Sequence, residues 1–255
     1  MAAWQARPHD ARPLVLMDFD GTLAEFENDP AAVTLPESRQ LLLQSLGRRS
    51  DLSSGIISGR RITELRERVP GGRSMFFAGL HGLEIEGPDL RFIHNAVAFA
   101  TPAIAMLAKD LRRAVKPLPG VFIEDKILSI VLHTRGASPA DRLHATTRFT
   151  ALSEPILTEG TLRLQAGDQV LELLPNVDWA KGDAVRAIIR HVEAQTKETV
   201  WPVYIGDDAT DEDAFEEVGP HGLTIAVTNR ASGAAFVVDN TAAVESFLRA
   251  ILATE

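Results

Sequence analysis

The sequence contains no cysteine among its 255 residues. Disulfide bonds, a thiol nucleophile and cysteine-ligated zinc sites are therefore excluded. The chain also has no hydrophobic run long enough for a transmembrane helix, and residues 1–13 lack the apolar core of a signal peptide. These absences lead us to expect a cytoplasmic protein.

Positive charge is scarce as well. The sequence has 26 Lys and Arg against 35 Asp and Glu, a net charge of −9, and its basic residues form no stripe. This balance argues against a nucleic-acid partner and against an anionic membrane. The length and the 45% hydrophobic content support a substantial core and two compact domains. Oligomeric state is not defined by the sequence, and a monomer is compatible with it.

The most informative segment is the run D-F-D-G-T-L at 18–23, which follows the apolar residues 14–17. Because a strand alternates its faces, Asp18 and Asp20 can point the same way, and Gly21 releases the chain into a turn whose amides can bind an anion. Asp18 is the candidate nucleophile for an aspartyl-phosphate, and Asp20 the candidate acid/base. Two carboxylates beside a phosphate need a hard cation, most simply Mg²⁺. Alone, such a run is commonly just an acidic turn.

Two further segments carry a polar side chain, one at the end of an apolar run and one at the start of a helical stretch. Residues 56–60 end an apolar strand in Ser58 and Gly59, which can hydrogen-bond phosphate oxygens, although serine before glycine is also a common helix cap. Lys181 opens a helical stretch, and its ammonium could neutralise both the nucleophile and the transferring phosphoryl group. A lone lysine more often lies on the surface.

A fourth segment runs from the apolar strand 203–206 into a dense acidic cluster. Oxygen-rich clusters of this kind bind hard cations, and Asp207 is the candidate metal ligand. We expect Asp208 and Asp211 to orient coordinated waters or Lys181 without binding the metal directly.

Together, and in this order, the four segments resemble the signature of the haloacid dehalogenase superfamily of phosphotransferases. The resemblance covers residues 13–92 and 175–250. It implies that Asp18 is the nucleophile and Asp20 the acid/base, with Mg²⁺ bound by Asp18, the Asp20 carbonyl and Asp207. Ser58 and Lys181 would hold the phosphate oxygens. The neighbouring residues assigned to substrate binding are Gly21, Thr22, Gly59 and Arg60.

The order of the strand-like and helix-like segments predicts an α/β fold. Strands and helices alternate from 14 to 78 and again from 182 to 252, which favours a Rossmann-like parallel-sheet hydrolase core with the four motifs at the carboxyl ends of its strands. Between them, two helices interleave with two strand pairs. We therefore predict a catalytic core at 1–95 and 175–255 and an inserted α+β cap domain at 96–174 for substrate recognition.

Several polar residues on or beside short strands resemble those of trehalose-6-phosphate phosphatases. In that family they are associated with sugar hydroxyls and with cap closure, and here they are His81, Gly82, Glu84, Glu124, Lys126, His133, Arg135 and Glu172. Such groups could also exclude the wrong sugar, because a sugar that leaves buried polar groups unpaired binds poorly. Each has an ordinary alternative, since Glu124 and Lys126 could form an exposed ion pair, His133 could be a satisfied strand histidine and Arg135 a surface charge.

The predicted function is Mg²⁺-dependent hydrolysis of trehalose 6-phosphate, a small-molecule sugar phosphate, to trehalose and phosphate through an aspartyl-phosphate. Three alternatives stay open. One is another sugar-phosphate phosphatase of the superfamily, such as a sucrose-phosphate or mannosyl-phosphoglycerate phosphatase. Another is a phosphomannomutase-like enzyme, and the third is a non-catalytic sugar-phosphate-binding or phospho-receiver module. Asp20 argues against the last alternative. A signalling aspartyl-phosphate benefits from slow hydrolysis, and an adjacent general base would speed that hydrolysis.

Overall fold

The computed structural model describes residues 1–27, 29–126, 128–228 and 231–254, without the side chains of residues 98 and 99. The chain divides into two compact units. One comprises Met1–Phe92 with Trp179–Glu255, and the other Ile93–Asp178. The predicted inserted segment was 96–174, and the catalytic and substrate-recognising roles of the two units stay predictions.

The strands are β1 (Ala11–Met17), β2 (Ser53–Ile57), β3 (Phe76–Gly79), β4 (Glu84–Gly87), β5 (Leu90–Ile93), β6 (Phe122–Asp125), β7 (Ile130–His133), β8 (Leu162–Gly167), β9 (Val170–Pro175), β10 (Thr199–Gly206), β11 (Leu223–Val227) and β12 (Phe236–Val238). The α-helices are α1 (Ala2–Gln5), α2 (Glu37–Gly47), α3 (Ile62–Arg68), α4 (Asn95–Val115), α5 (Pro139–Thr158), α6 (Lys181–Thr196), α7 (Glu212–Val218) and α8 (Thr241–Leu252).

The first unit is built on one large sheet, whose strand order is β12-β11-β10-β1-β2-β3-β4-β5. The strands from β12 to β3 pair in parallel, which confirms the predicted α/β class. β4 runs antiparallel to β3. The β4 and β5 strands were not predicted, because each has only four residues and they mix charged with apolar side chains at the edge of the sheet.

Central strand β1 shows why the apolar run at 14–17 is continuous. Val15 and Met17 pack into the core on one face of the sheet, and Leu14 and Leu16 pack into the core on the other face. All four are fully buried. A parallel strand covered by helices on both faces needs apolar residues at every position. Because β1, β2 and β10 run parallel, their carboxyl ends lie at one common edge of the sheet, where the polar motifs begin.

The second unit has a four-stranded antiparallel sheet with the order β6-β7-β9-β8. One face of this sheet supplies Ile123, Ile130, Leu132 and Leu173 to a core shared with α4 and α5. Helix α5 runs for 20 residues, from Pro139 to Thr158. In the described part of the chain, none of the helices combines the length and apolarity needed to cross a membrane.

Candidate active site

Asp18 lies directly after β1 and is 6% exposed. Its backbone amide continues the sheet by donating to the Ile205 carbonyl at 2.8 Å. One carboxylate oxygen accepts from the Phe19 amide at 2.6 Å, and the other accepts from Lys181 Nζ at 2.7 Å. The candidate nucleophile is therefore held in one orientation by a backbone donor and by a cation.

Lys181, at the start of α6, is 1% exposed and bridges two carboxylates. Its Nζ donates to Asp18 and to Asp211, both at 2.7 Å. Asp211 also accepts a hydrogen bond of 2.7 Å from the Tyr204 hydroxyl. Residues 163 positions apart in the sequence thus form one buried charged cluster.

The cluster perturbs its own protonation equilibria. Burial raises the pKa of Asp18 well above its ordinary value, more than Lys181 lowers it. Burial by itself would lower the pKa of Lys181, yet the charges of Asp18 and Asp211 raise it above its ordinary value. The pKa of Asp211 is lowered, because the effect of burial is outweighed by the charge of Lys181 and by the hydrogen bonds from Lys181 and Tyr204. The lysine is therefore a fixed ammonium.

Asp207 lies at the end of β10 beside Thr22, whose hydroxyl donates to its Oδ1 at 2.9 Å. Burial, and then the charge of Asp211, raise the pKa of Asp207 to about 7. Gly21 has φ +74°, and a Cβ there would overlap the Asp207 carboxylate. Only glycine therefore fits at position 21, where the backbone passes close to the Asp207 carboxylate.

The donor set fits a divalent cation. Carboxylate oxygens of Asp18, Asp207 and Asp211 lie within 4.8 Å of one another. Oxygen-only donors with concentrated negative charge are the ligands that hard cations prefer. Asp211, however, already accepts from Lys181 and Tyr204 on one oxygen and from two backbone amides on the other. Asp18 and Asp207 are thus the carboxylates suited to a metal, and Asp211 is better described as the group that positions Lys181.

Asp20 is engaged by Arg60 through two hydrogen bonds of 2.7 and 2.6 Å. The Arg60 side chain is 7% exposed, donates also to the Pro30 carbonyl at 2.9 Å, and lies 3.6 Å from Glu64. The assignment of Arg60 to substrate binding stays a prediction, and in this structure its guanidinium binds the candidate acid/base. The paired geometry fixes the carboxylate plane more firmly than a single donor could.

Ser58 is buried at the end of β2, where its hydroxyl accepts from the Arg60 amide at 3.2 Å. Its carbonyl accepts from the His81 amide at 2.9 Å. His81 has φ +57°, and Leu80 before it has φ +55°, so two consecutive residues with side chains occupy the left-handed region. A Cβ at Gly59 would lie 3.0 Å from the His81 ring. The Leu80–His81 turn is therefore packed tightly against Ser58 and Gly59.

Three other predicted residues have structural contacts. The Glu84 carboxylate accepts from the Ile62 amide at 2.7 Å, at the first turn of α3. Gly82 has φ +97°, and a Cβ there would lie 2.6 Å from the Ala184 side chain. Exposed Asp208 accepts from the Ala209 amide at 2.6 Å and caps the short 3₁₀ turn that follows. The predicted interaction of Asp208 with the metal surroundings stays a prediction.

The predicted residues of the second unit occur in pairs. His133 Nε2 and Glu124 Oε2 are 2.8 Å apart. Lys126 Nζ lies 3.6 Å from a Glu172 oxygen that also accepts from the Ser129 hydroxyl at 2.6 Å. These four charged or polar side chains are more than two-thirds buried. The ordinary alternative for Glu124 and Lys126 was an exposed ion pair, whereas both side chains are largely buried.

Arg135 differs from that group. Its guanidinium is 3.0 Å from Asp168, and the two side chains are 36% and 78% exposed. A surface ion pair of this kind contributes little to stability.

Sequence reasoning missed two members of these clusters. Tyr204 is the only tyrosine in the chain, and the signal for it was its position three residues before Asp207, between Val203 and Ile205. Phe122, whose ring stacks on His133, carried no signal beyond being an aromatic residue next to Ile123 and Glu124.

Comparison with solved structures identifies the fold. A haloacid dehalogenase-like hydrolase from Bacteroides thetaiotaomicron superposes with a TM-score of 0.63 at 13% identity, over 94% of this chain and 99% of that one. The C-terminal domain of C. albicans trehalose-6-phosphate phosphatase superposes with a TM-score of 0.78 at 22% identity, over 96% and 93%. The architecture is thus that of the haloacid dehalogenase-like hydrolases.

Sequence comparison narrows this class. The trehalose-phosphatase family model matches residues 16–242. A trehalose-phosphate phosphatase of Mycobacterium tuberculosis is 36% identical over 242 residues, which cover 92% of this chain and 60% of the relative. The chain belongs to the trehalose-phosphatase family. It spans about 60% of the length of the curated relatives that it matches.

Proposed function

We propose that the chain is a Mg²⁺-dependent phosphatase that hydrolyses trehalose 6-phosphate to trehalose and phosphate. The observation that carries this proposal is the buried Asp18 carboxylate, bonded to Lys181 and close to Asp207. Membership of the trehalose-phosphatase family supports the substrate. A cytoplasmic location stays a prediction from the sequence.

The chain's own residues suit a two-step phosphoryl transfer. In the first step an Asp18 oxygen bonds to phosphorus, the bond from phosphorus to the sugar oxygen breaks, and that oxygen takes a proton from Asp20. In the second step Asp20 takes a proton from water, the water oxygen bonds to phosphorus, and Asp18 is released. Lys181 would stabilise the negative charge of the transferring group, because its ammonium is held in place by Asp211.

The metal would be held by the carboxylates of Asp18 and Asp207 and by the Asp20 carbonyl. When bound, Mg²⁺ would neutralise the carboxylates and the phosphate oxygens so that two anions can approach each other. Thr22 and Gly21 would serve this site by orienting Asp207 and by leaving room beside it.

We propose that the second unit supplies the contacts to the sugar. Glu124, Lys126, His133 and Glu172 offer carboxylate and cationic groups that are already held by one another. Prearranged groups of this kind bind sugar hydroxyls with little loss of side-chain entropy. The exposed Arg135 would contribute less.

Phosphate release from trehalose 6-phosphate, glucose 6-phosphate and sucrose 6-phosphate, with and without Mg²⁺, tests the proposal. We expect turnover to be highest with trehalose 6-phosphate and to require the metal. Preferred hydrolysis of another sugar phosphate would favour a related phosphatase. Formation of a hexose 1-phosphate would favour a mutase, and absence of turnover with retained binding would favour a receiver or binding module.

Asp18→Asn is the matching variant. We expect it to abolish turnover while leaving sugar-phosphate binding largely intact, because the amide keeps the shape but cannot attack phosphorus. Asp239→Asn, at an exposed carboxylate of the same unit, is the control and should behave as the native protein. Substantial turnover by Asp18→Asn would contradict the assignment of the nucleophile.

A further inference from the structure

The two faces of the sheet in the second unit differ in chemistry. Strand register aligns Phe122 with His133, and Glu124 with Val131, which in turn aligns with Glu172. Because strand residues alternate between faces, these five side chains lie on the face opposite the helix-covered core. That face therefore combines the charged or polar groups of Glu124, His133 and Glu172 with two apolar side chains, the buried Val131 and the ring of Phe122.

Phe122 is unusual on this face because it is large, apolar and 46% exposed. Its ring stacks on the His133 ring with the centroids 4.4 Å apart and an angle of 9° between the planes. The His133 side chain, by contrast, is only 14% exposed. One face of the phenyl ring therefore covers the imidazole, and its remaining surface stays open.

The stacked pair is joined to a hydrogen-bonding group. His133 bonds to Glu124 at 2.8 Å, so the imidazole is held both by a carboxylate and by a ring. Glu124 is two residues from Phe122 on the same strand, a spacing of about 7 Å along one face. An open aromatic surface thus lies beside the Glu124 carboxylate, at a distance comparable with the width of a pyranose ring.

This combination matches the chemistry of a sugar. The face of an aromatic ring carries a partial negative charge, which attracts the weakly positive C–H groups of a pyranose. Carboxylates beside it accept hydrogen bonds from hydroxyls at the edge of the sugar ring. A single exposed aromatic residue needs no explanation, but one that is stacked and next to prearranged acceptors is suited to a ligand with both surfaces.

We propose that Phe122, supported by His133, is a specificity-determining contact that packs against a pyranose ring of the sugar phosphate. This inference rests on the proposed function for its substrate class. It assigns to Phe122 the discrimination between sugar phosphates and compact phosphate esters, and gives it no part in the chemical step.

Steady-state kinetics of the full chain with trehalose 6-phosphate and with glycerol 3-phosphate test this role. Phe122→Ala should raise KM for the sugar phosphate about five- to tenfold, from the lost ring contact and buried area, while kcat changes less than twofold. Kinetics with glycerol 3-phosphate should not change. Phe122→Tyr and Phe122→Trp should keep the native KM, and Phe122→Leu should behave like Phe122→Ala.

Leu143→Ala is the matched control, because Leu143 is 67% exposed on α5, on the helical side of the same unit. It should leave both substrates unaffected. An unchanged KM in Phe122→Ala would overturn the proposal, as would equal losses with both substrates or full activity of Phe122→Leu. If the native protein prefers another pyranose phosphate, the same comparison is made with that substrate, so the proposed function can fail without deciding this test.

Discussion

Replacing Asp207 with Asn should stabilise the metal-free protein at pH 8. In the native protein, burial and the charge of Asp211 raise the pKa of Asp207 from 3.8 to about 7. Between these values the folded state keeps a proton that the unfolded chain has lost. The free energy of unfolding therefore falls as the pH rises from about 4 to about 7, and the loss is complete above the folded-state pKa.

The magnitude follows from the size of the shift. Three pKa units at about 1.4 kcal/mol each correspond to about 4 kcal/mol. Asparagine removes the charge, so Asp207→Asn should recover up to this amount at pH 8 and nothing at pH 4. For a unit of this size the gain corresponds to a rise in Tm of roughly 8–16 °C.

Tryptophan fluorescence is a suitable assay, because Trp4, Trp179 and Trp201 all belong to the unit that contains Asp207. Thermal unfolding of the native protein and the variant would be followed at pH 5 and pH 8 in a chelator, and then with Mg²⁺. We expect Mg²⁺ to stabilise the native protein and to have little effect on the variant. A variant that unfolds below the native protein at pH 8 in the chelator would refute the reasoning, as would equal stabilisation of both by Mg²⁺.

Three other substitutions test the same cluster. Lys181→Met should lower the stability of the first unit by about 3–5 kcal/mol and abolish turnover, because two buried carboxylates lose their cation; near-native unfolding by fluorescence would contradict this. Gly21→Ala should weaken Mg²⁺ binding measured by calorimetry, since its Cβ overlaps Asp207 at φ +74°, and an unchanged affinity would argue against the metal site. Arg60→Lys should lower kcat roughly tenfold to hundredfold, because lysine cannot hold both oxygens of Asp20; a native kcat would show that the paired geometry is dispensable.

Local patterns were sufficient for most of the first unit. Continuous apolar runs such as 14–17 and 203–206 indicated strands buried on both faces, and the polar residues after each run indicated the edge where the strands end. The β4–β5 segment escaped because short edge strands with mixed polarity have no distinct period. Its first residue, Glu84, was interpreted only as a possible ligand, although its carboxylate bonds to the start of α3.

The type of a residue predicts its chemistry better than it predicts which residue it will contact. The substrate contact predicted for Arg60 stays a prediction, but its pairing with Asp20 was not foreseen from the sequence. Asp211 was predicted to orient coordinated waters or Lys181, but its four hydrogen bonds depend on how β10, α6 and the turn that follows β10 pack together. Contacts of this kind depend on packing, which a linear pattern does not contain.

The amino-acid sequence by itself determined the α/β class, the order of the four motifs and the types of group available for phosphoryl transfer, because these depend on periodicity and on local chemistry. Only the tertiary structure decided that Lys181 joins Asp18 to Asp211, that Arg60 holds Asp20, and that Phe122 stacks on His133. Each of these contacts joins residues on different elements. Their geometry is therefore set by strand register and packing rather than by neighbours in the chain.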